Sequence, residues 1–593
     1  MYGWMGEILR VNLTSGKVNK EELDERLAKR FVGGRGLGVK ILYDELEPKT
    51  DPLSSENKLI FITGPVTGTK APTSGRYCVV SKSPLTGTIF DSHSGGFWGP
   101  ELKFAGYDGV IVEGKAKKPV YIFITEKQTE IRDASDVWGL NTHKTTGELV
   151  KETDSNAKVA CIGPAGERQV LISGIINDKH RAAGRGGLGA VMGSKQLKAM
   201  VVRGTEKVGI AKEEEFDEIY DKSLIALRKN PITDKSLPNL GTAVLVSLVN
   251  EHGMYPTRNF QEGVFEDAEG VSGEKIAETI LVGRRACYAC PIGCGRITKT
   301  SRGEGEGPEY ETVWAFTAQC GVNNLEAATN ANYLCNELGL DTISTGNTIG
   351  CAMEMYEKGF LKEKIEFGDA EKLVELVRKI ALKEGIGKEL SEGSKRFAEK
   401  HSVPELAIQV KGLEIPAYDP RGAQGHALAY ATSNRGGCHL RAYLIGPELL
   451  GTPALVDRTK PEGKANLVMN YQNLFSAIDS MILCVFTSFA FSPYHYAKFI
   501  TTVTGFEYTG KDLMTIGDRI WNLEKLFNMR EGLGRRTDDS LPPRFLDTPL
   551  PEGGSRERTV FLKRMLDEYY SLRGWDDRGE PLKSKLEELG LSR

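Results

Sequence analysis

Cysteine is scarce in this chain, ten among 593 residues. That is too few for a disulfide scaffold, so free thiols are expected, and clustered ones are expected to bind metal. Long apolar runs are missing as well. The longest, near "MILCVFTSFAF", falls short of the about 20 residues that cross a bilayer, so no membrane association is expected. Positive charge is not in excess: 77 Lys and Arg against 80 Asp and Glu give a formal net charge of -3. Nucleic-acid binding needs a basic surface and is set aside as a general function. The opening "MYGWMGEILRVNL" has no basic stretch followed by an apolar one. No secretory signal is read there, and a cytoplasmic location is expected. No internal repeat or low-complexity tract stands out.

What is present changes texture along the chain. "KLIFITGPVTG", "GRYCVVSKSPLTGTIF", "GYDGVIVEGKA", "PVYIFI", "KVACIGPAG" and "LKAMVVRGTEKV" are short β-branched runs punctuated by Gly and Pro, the mark of strands and turns. Beyond them, "AKEEEFDEIYDKSLIALRKN", "GTAVLVSLVNEHG", "NNLEAATNANYLCNELG" and "TGNTIGCAMEMYEKG" repeat apolar residues at helical spacing. "DAEKLVELVRKIALKEGIGKELSEGSKRFAEKH" reads as two helices broken at Gly385 or Gly387. The expected class is α+β: a β-rich domain over 1–208, then mainly helical domains over 209–415 and 416–593, with a cofactor where they join.

The densest chemistry lies in "CYACPIGCGR", which spaces Cys287, Cys290 and Cys294 as C-x2-C-x3-C. Zinc sites usually set one C-x2-C pair against a second pair farther along. A compact thiolate run with Gly293 and Gly295 to turn amides toward sulfur, completed by one distant cysteine, is the pattern of an iron–sulfur cluster. Spacing favours the cluster over zinc but leaves seven cysteines as candidate fourth ligands. An electron carrier alone would not need a chain this long, so a second redox centre or substrate chemistry is expected.

Glycine–arginine loops are the second signal. "HRAAGRGGLGAVMG" contains Gly184-x-Gly186-x-x-Gly189, but no strand leads directly into it and no convincing acid follows, so it is not read as a dinucleotide fingerprint. Arg181 and Arg185 beside flexible amides at a helix start suit phosphate instead. "FVGGRGLG" and "APTSGRY" repeat the theme. Either loop alone is explained by tight turns and solvated arginines; several together favour a phosphorylated cofactor.

"CYACPIGCGR", "EGPEYETVWAF", "NELGLDTIS", "NRGGCH" and "RAAGRGG" together resemble the aldehyde:ferredoxin oxidoreductases, the tungstopterin enzymes, and the likeness runs the whole length. The resemblance implies tungsten held by two pterins, with one 4Fe–4S cluster beside them. It implies a fourth cluster ligand at the end of a D-x-x-G-L-C/D motif, here "DSMILC", which selects Cys484. The other copy, "NELGLD", supplies Asn336, Gly339, Leu340 and Asp341. Asn336 stands where the pattern has Asp, and Ile482 where it has Gly. By the same matching, Arg76, His93, Gly95, Gly96, Arg181, Ala182, Gly184 and Arg185 would meet the pterin phosphates and a Mg2+ ion between them. Arg435, Gly437, Arg441, Asp479 and Leu483 would line the pterins. His93 replaces an Asn, which weakens the magnesium link. An E-x-x-H metal site at a dimer interface is not expected, because its positions read Asn330 and Tyr333.

The implied reaction is oxidation of a small aldehyde to a carboxylic acid with water as oxygen source, ferredoxin taking the electrons. Of the two carboxylates in "PEYETVW", Glu309 and Glu311, the matching selects Glu311 as proton acceptor, with a pKa raised by burial. It selects His439 to hydrogen-bond a metal oxo group or the substrate carbonyl. An isolated histidine is usually structural, and without the motif a solvated Glu would be the better reading. Tyr310 and Tyr418 are candidate pocket walls. The rival reading is a catalytic subunit like the tungsten-dependent benzoyl-CoA reductases. A homo-oligomer is expected, and a separate small iron–sulfur subunit would leave no trace in this chain.

Overall fold

The structure, a computed structural model, describes residues 1–592. The N-terminal strands form two sheets of six. The first holds β1 (Glu7–Asn12), β2 (Lys17–Glu22), β3 (Leu59–Ile62), β4 (Tyr77–Lys82), β5 (Ile89–Ser94) and β6 (Gly109–Glu113), ordered β2-β1-β6-β3-β4-β5. The second holds β7 (Val120–Ile124), β8 (Thr129–Asp133), β9 (Lys158–Cys161), β10 (Ile175–Asn177), β11 (Arg181–Ala183) and β12 (Leu197–Val202), ordered β11-β10-β9-β12-β7-β8. The pairs β1–β6 and β7–β12 run parallel and the others antiparallel.

A strand's period of two lets each sheet build a core on both faces. On one face of the first sheet, Leu59, Phe61, Tyr77, Val79 and Val110 share a core with Ile122, Ile124, Met200 and Val202 of the second. Their alternates Ile60, Ile62, Cys78, Val80 and Ile111 face the helices Gly34–Glu45, Lys464–Met481 and Gly510–Arg530. The second sheet's outer face, with Tyr121, Phe123, Val159 and Val201, is covered by Leu149 of the helix Thr142–Glu152.

The rest is mainly helical, with Leu325–Leu338 and Thr342–Glu357 among its longer helices. Two local expectations change. Residues 370–400 form three helices, not two: Ala370–Leu382, Gly387–Leu390 and Ser394–Lys400. Left-handed backbone at Lys383 ends the first, and Gly393 at φ 86° forces the extra break. The cysteine trio sits in a small antiparallel sheet, Leu281–Arg285, Gly295–Thr300 and Gly303–Glu306, which helical periodicity did not reveal. Asn330 and Tyr333 bond to that sheet: Asn330 accepts from the Thr300 hydroxyl at 2.7 Å, and the Tyr333 hydroxyl donates to the Thr298 carbonyl at 2.7 Å.

Candidate functional site

A cavity of about 630 Å3 opens where these parts meet. Its wall takes Arg76, Ser92 and His93 from the first sheet and Arg181 and Ala182 from the second. Residues of 287–312, 336–343, 435–450 and 479–489 complete it.

All four predicted cluster ligands, Cys287, Cys290, Cys294 and Cys484, line one end of the cavity. The pairing of Arg285 with Gly295 closes the loop that carries the first three. That loop is pinned to the first sheet's turns: Thr73 donates its amide to the Ala289 carbonyl at 2.8 Å, and Tyr288 donates to Gly96 at 3.1 Å. Cys484 arrives from the end of Lys464–Met481, its amide held by the Thr73 hydroxyl at 3.1 Å. A Cβ on Gly95 would lie 2.8 Å from the Cys287 sulfur, so only glycine lets the loop lie so close. Burial pushes the Cys290 thiol up to about 11, with the neighbouring cysteines adding to it and amides of Gly293 and Ile292 opposing. Four half-buried thiols brought to one place call for a positive centre. Four thiolates around one zinc at about 2.3 Å would put their sulfurs about 3.8 Å apart. Among the described residues, the one trio of His, Cys, Asp or Glu whose ligand atoms all lie within 4.8 Å is Cys78, Asp91 and His93. No three of the four cysteine sulfurs lie within 4.8 Å of one another, a wider set than the zinc spacing.

Arginines form the floor. Arg441 contacts Asp91 at 2.5 Å and Asp479 at 3.2 Å. Arg35 grips Glu524 with two bonds, 2.6 and 2.7 Å, and reaches Asp479 at 3.3 Å. Arg435 donates to the Asp91 carbonyl and, at 2.9 Å, to the Cys438 sulfur. Despite the opposing cost of burial, Arg441, Arg35 and Arg435 hold the Asp91 carboxyl well below its usual range. Arg181 pairs with Glu306. Arg185 spends its donors on Asp341 at 3.2 Å and the Gly437 and Glu414 carbonyls at 2.9 and 2.7 Å. Arg76 is left with no ion pair among the described residues, and the buried Nε atoms of Arg435 and Arg441 have no hydrogen-bond partner. Guanidinium N–H groups left without a partner beside a cavity fit an anionic ligand.

Glu311 and His439 stand together. Glu311 lies in the first turn of the helix Tyr310–Phe316 and accepts the Ala417 amide at 3.0 Å. Its Oε1 is 3.5 Å from His439 Nε2, too far for a firm bond, and no other group satisfies it. Burial raises the Glu311 carboxyl to about 8, against the Ala417 amide, which lowers it. Burial likewise holds His439 neutral, well below its ordinary range, with His426 and three arginines adding to the effect. Glu309, its sequence rival, accepts the Thr242 hydroxyl at 2.6 Å and is taken. Tyr310 and Tyr418 do form a wall, their rings 5.3 Å apart.

Three predicted cofactor residues, Gly96, Gly339 and Gly437, lie behind the lining. Gly96 bonds to the cysteine loop, Gly339 caps Leu325–Leu338, and the Gly437 carbonyl holds Arg185. The other named positions, from Asn336, Leu340 and Asp341 to Gly184 and Leu483, line the cavity. Arg35 of "FVGGRGLG" is a correction to the phosphate-loop reading: it is fully buried and tied to Glu524. His93 is committed to Asp91 at 2.9 Å. Sequence reasoning missed Tyr443, whose hydroxyl meets that of Tyr418 at 3.1 Å, and Phe486 and Phe489. Only their place in a tyrosine- and phenylalanine-rich stretch could have flagged them.

Two family models match end to end: the aldehyde ferredoxin oxidoreductase N-terminal domain over residues 8–204, and domains 2 and 3 of the same family over 218–591. The chain belongs to the aldehyde ferredoxin oxidoreductase family. It is 51% identical to the tungsten-containing aldehyde ferredoxin oxidoreductase of Pyrococcus furiosus, covering 100% of both chains. It is 49% identical to the enzyme of the same name from Thermococcus kodakarensis, again over 100% of both. A solved chain from the active site complex of benzoyl coenzyme A reductase with 1,5-dienoyl-CoA superposes with a TM-score of 0.86 at 28% identity, covering 100% of this chain and 97% of that one. As a family member the protein is an oxidoreductase. Among the described residues no helix is long and apolar enough to cross a membrane.

Proposed function

We propose that this protein oxidises aldehydes to carboxylic acids, with water as the oxygen source and ferredoxin as electron acceptor. The observation that carries the reading is one cavity with three chemistries. A carboxyl–imidazole pair lies within 3.5 Å, guanidinium groups with unspent N–H donors form the floor, and four cysteines close the far end. A tungsten bis-pterin, when bound, would supply a two-electron acceptor, and Cys287, Cys290, Cys294 and Cys484 would hold a 4Fe–4S cluster suited to one-electron transfer. Arg76, Arg435 and Arg441 would hold pterin phosphate and ring acceptors. His93 would offer a Mg2+ ion at most its second ring nitrogen, because Nε2 is bonded to Asp91.

The chain's own part is proton transfer and orientation. Oxidation of RCHO plus water to RCOOH releases two protons with the two electrons. Glu311 is the acceptor for a proton of the attacking water, because its Oε1 is unsatisfied and faces the cavity. His439, neutral, donates a ring N–H to the aldehyde oxygen and fixes the carbonyl carbon near Glu311. Tyr310, Tyr418, Tyr443 and Phe489 wall the substrate end and exclude water. Ring reduction in the manner of benzoyl-CoA reductase is the weaker reading, since the aldehyde-oxidising relatives stand at 51% identity against 28%.

Anaerobic purification followed by metal analysis tests this directly. About one tungsten and four iron per chain are expected, with aldehyde-dependent viologen reduction. Zinc alone, or benzoyl-CoA turnover without aldehyde turnover, would overturn the assignment.

A further inference from the structure

We propose that the surface around the cysteine loop is the docking site for an acidic, one-electron carrier protein, held by a basic collar of Lys158, Lys179, Arg284 and Arg285. This rests on the functional reading above, in which electrons leave through the cysteine end of the cavity.

Transfer between proteins requires the carrier to approach the donor closely, and this is where the loop reaches the surface. Cys287, Cys290 and Cys294 are half-buried, while Ala286 and Pro291 between and beside them are exposed. Charge is concentrated here in an otherwise balanced chain. From Leu281 to Gly303 the sequence holds Arg284, Arg285, Arg296, Lys299 and Arg302 and no Asp or Glu, although the whole chain carries -3.

The collar charges are spare. Arg284 donates to the neutral Asn239 Oδ1 at 2.8 Å. Arg285 lies 3.7 Å from Glu306, but that carboxylate is already paired with Arg181. Lys158 and Lys179 form no ion pair among the described residues, and Lys179 is exposed. Lys158 and Lys179 reach the same place from the second sheet. Asp178 feels both Lys158 and Arg285, and its carboxylate accepts the Phe97 amide at 2.7 Å, beside the Gly96 carbonyl that holds the loop at Tyr288. Val282, 53% exposed, adds an apolar contact at the rim. Of the nearby acids, Glu326 accepts the Ser301 amide at 3.0 Å, and Glu304 stands directly across the hairpin from Lys299 and offsets its charge, which leaves Lys158, Lys179, Arg284 and Arg285 as the collar. A spare basic rim around an exposed redox loop selects an acidic partner by steering and orientation.

The two banks can be tested separately, with Arg284→Glu/Arg285→Gln and with Lys158→Glu/Lys179→Glu. Lys583→Glu on the C-terminal helix is the charge control. Each protein is assayed anaerobically with aldehyde as donor and either purified ferredoxin or benzyl viologen as acceptor. At low salt each pair is expected to lower kcat/KM for ferredoxin by about ten-fold or more, and the gap should close as salt shortens the Debye length to about 8 Å or less. Viologen rates and iron content should match the parent, and Lys583→Glu should change nothing. Unchanged ferredoxin kinetics in both pairs, or equal loss with both acceptors, overturns the proposal. If no aldehyde is oxidised by any of the proteins, the functional reading fails by itself. Titration of oxidised ferredoxin onto parent and variants at low salt then decides docking independently: tighter binding by the parent supports it, and equal binding refutes it.

Discussion

Replacing Glu311 with Gln removes one oxygen's basicity and keeps the side chain's shape. Burial holds the Glu311 carboxyl at about 8 against an ordinary 4.5. At about 1.4 kcal/mol per pH unit, ionising it in place costs about 5 kcal/mol more than in water. Near pH 7 only about one molecule in ten therefore carries the base form, and each further pH unit below costs about another ten-fold in rate. The sign follows from the role: a base works when deprotonated, so activity climbs with pH and levels off above about 8. With tungsten and iron contents matched, Glu311→Gln should lower kcat/KM by about a hundred- to ten-thousand-fold and flatten that climb. Aldehyde-dependent viologen reduction from about pH 6 to 9 measures both. A parent profile that is flat below 8 would refute the assignment. So would a Gln variant that keeps the same inflection, because another group would then be the base.

Cys484→Ser should leave the helix Lys464–Met481 and its packing in place while iron falls well below four per chain, measured by metal analysis. Arg76→Ala should lower tungsten content without a large change in thermal stability, because Arg76 forms no ion pair among the described residues; Arg76→Lys should restore only part of it. Arg35→Met strands Glu524 as an unpaired buried carboxylate and should destabilise by about 3 to 5 kcal/mol, read by denaturant unfolding of the loaded enzyme. Ile482→Gly should relieve about 1 to 2 kcal/mol of left-handed strain but lose a fully buried side chain, for a net loss of about 1 to 4 kcal/mol by the same measurement.

How much was legible follows from how local each signal is. β4, β7 and β12 were readable because a strand buried on both faces is a run of β-branched and aromatic residues bounded by turns. The cysteine trio was readable because its ligands are neighbours in sequence, and Glu311 and His439 were selected only through motif matching. Geometry adds the reason for Glu311: Glu309, two residues away, is held by Thr242, a residue 67 positions distant. The arginine floor was legible only in part for the same cause. Arg35, Arg76 and Arg435 all lie in glycine-rich loops that look alike. What separates them is whether an acid from another part of the fold reaches them, and Arg35 meets Glu524 across 489 positions.

The departures from the pterin motif show the same division between local and distant determinants. Both motif copies end a helix on a left-handed residue, Gly339 at φ 81° and ψ 48° and Ile482 at φ 65° and ψ 40°. Glycine takes that conformation freely and isoleucine does not, yet the second copy holds the same turn, and the reason lies in another helix. Ile482 is fully buried over Gly34, where an added Cβ would meet Ile482 Cδ1 at 2.4 Å and the Asp479 carbonyl at 2.4 Å. The missing side chain at Gly34 makes the room that Ile482 fills, and packing there offsets the backbone strain. Leu483 and Cys484 then follow the cap as Leu340 and Asp341 follow theirs, and all four line the cavity. The conserved quantity between the two copies is thus the turn that aims the next two residues inward. A residue identity is a weaker guide to it than the space left by its neighbour.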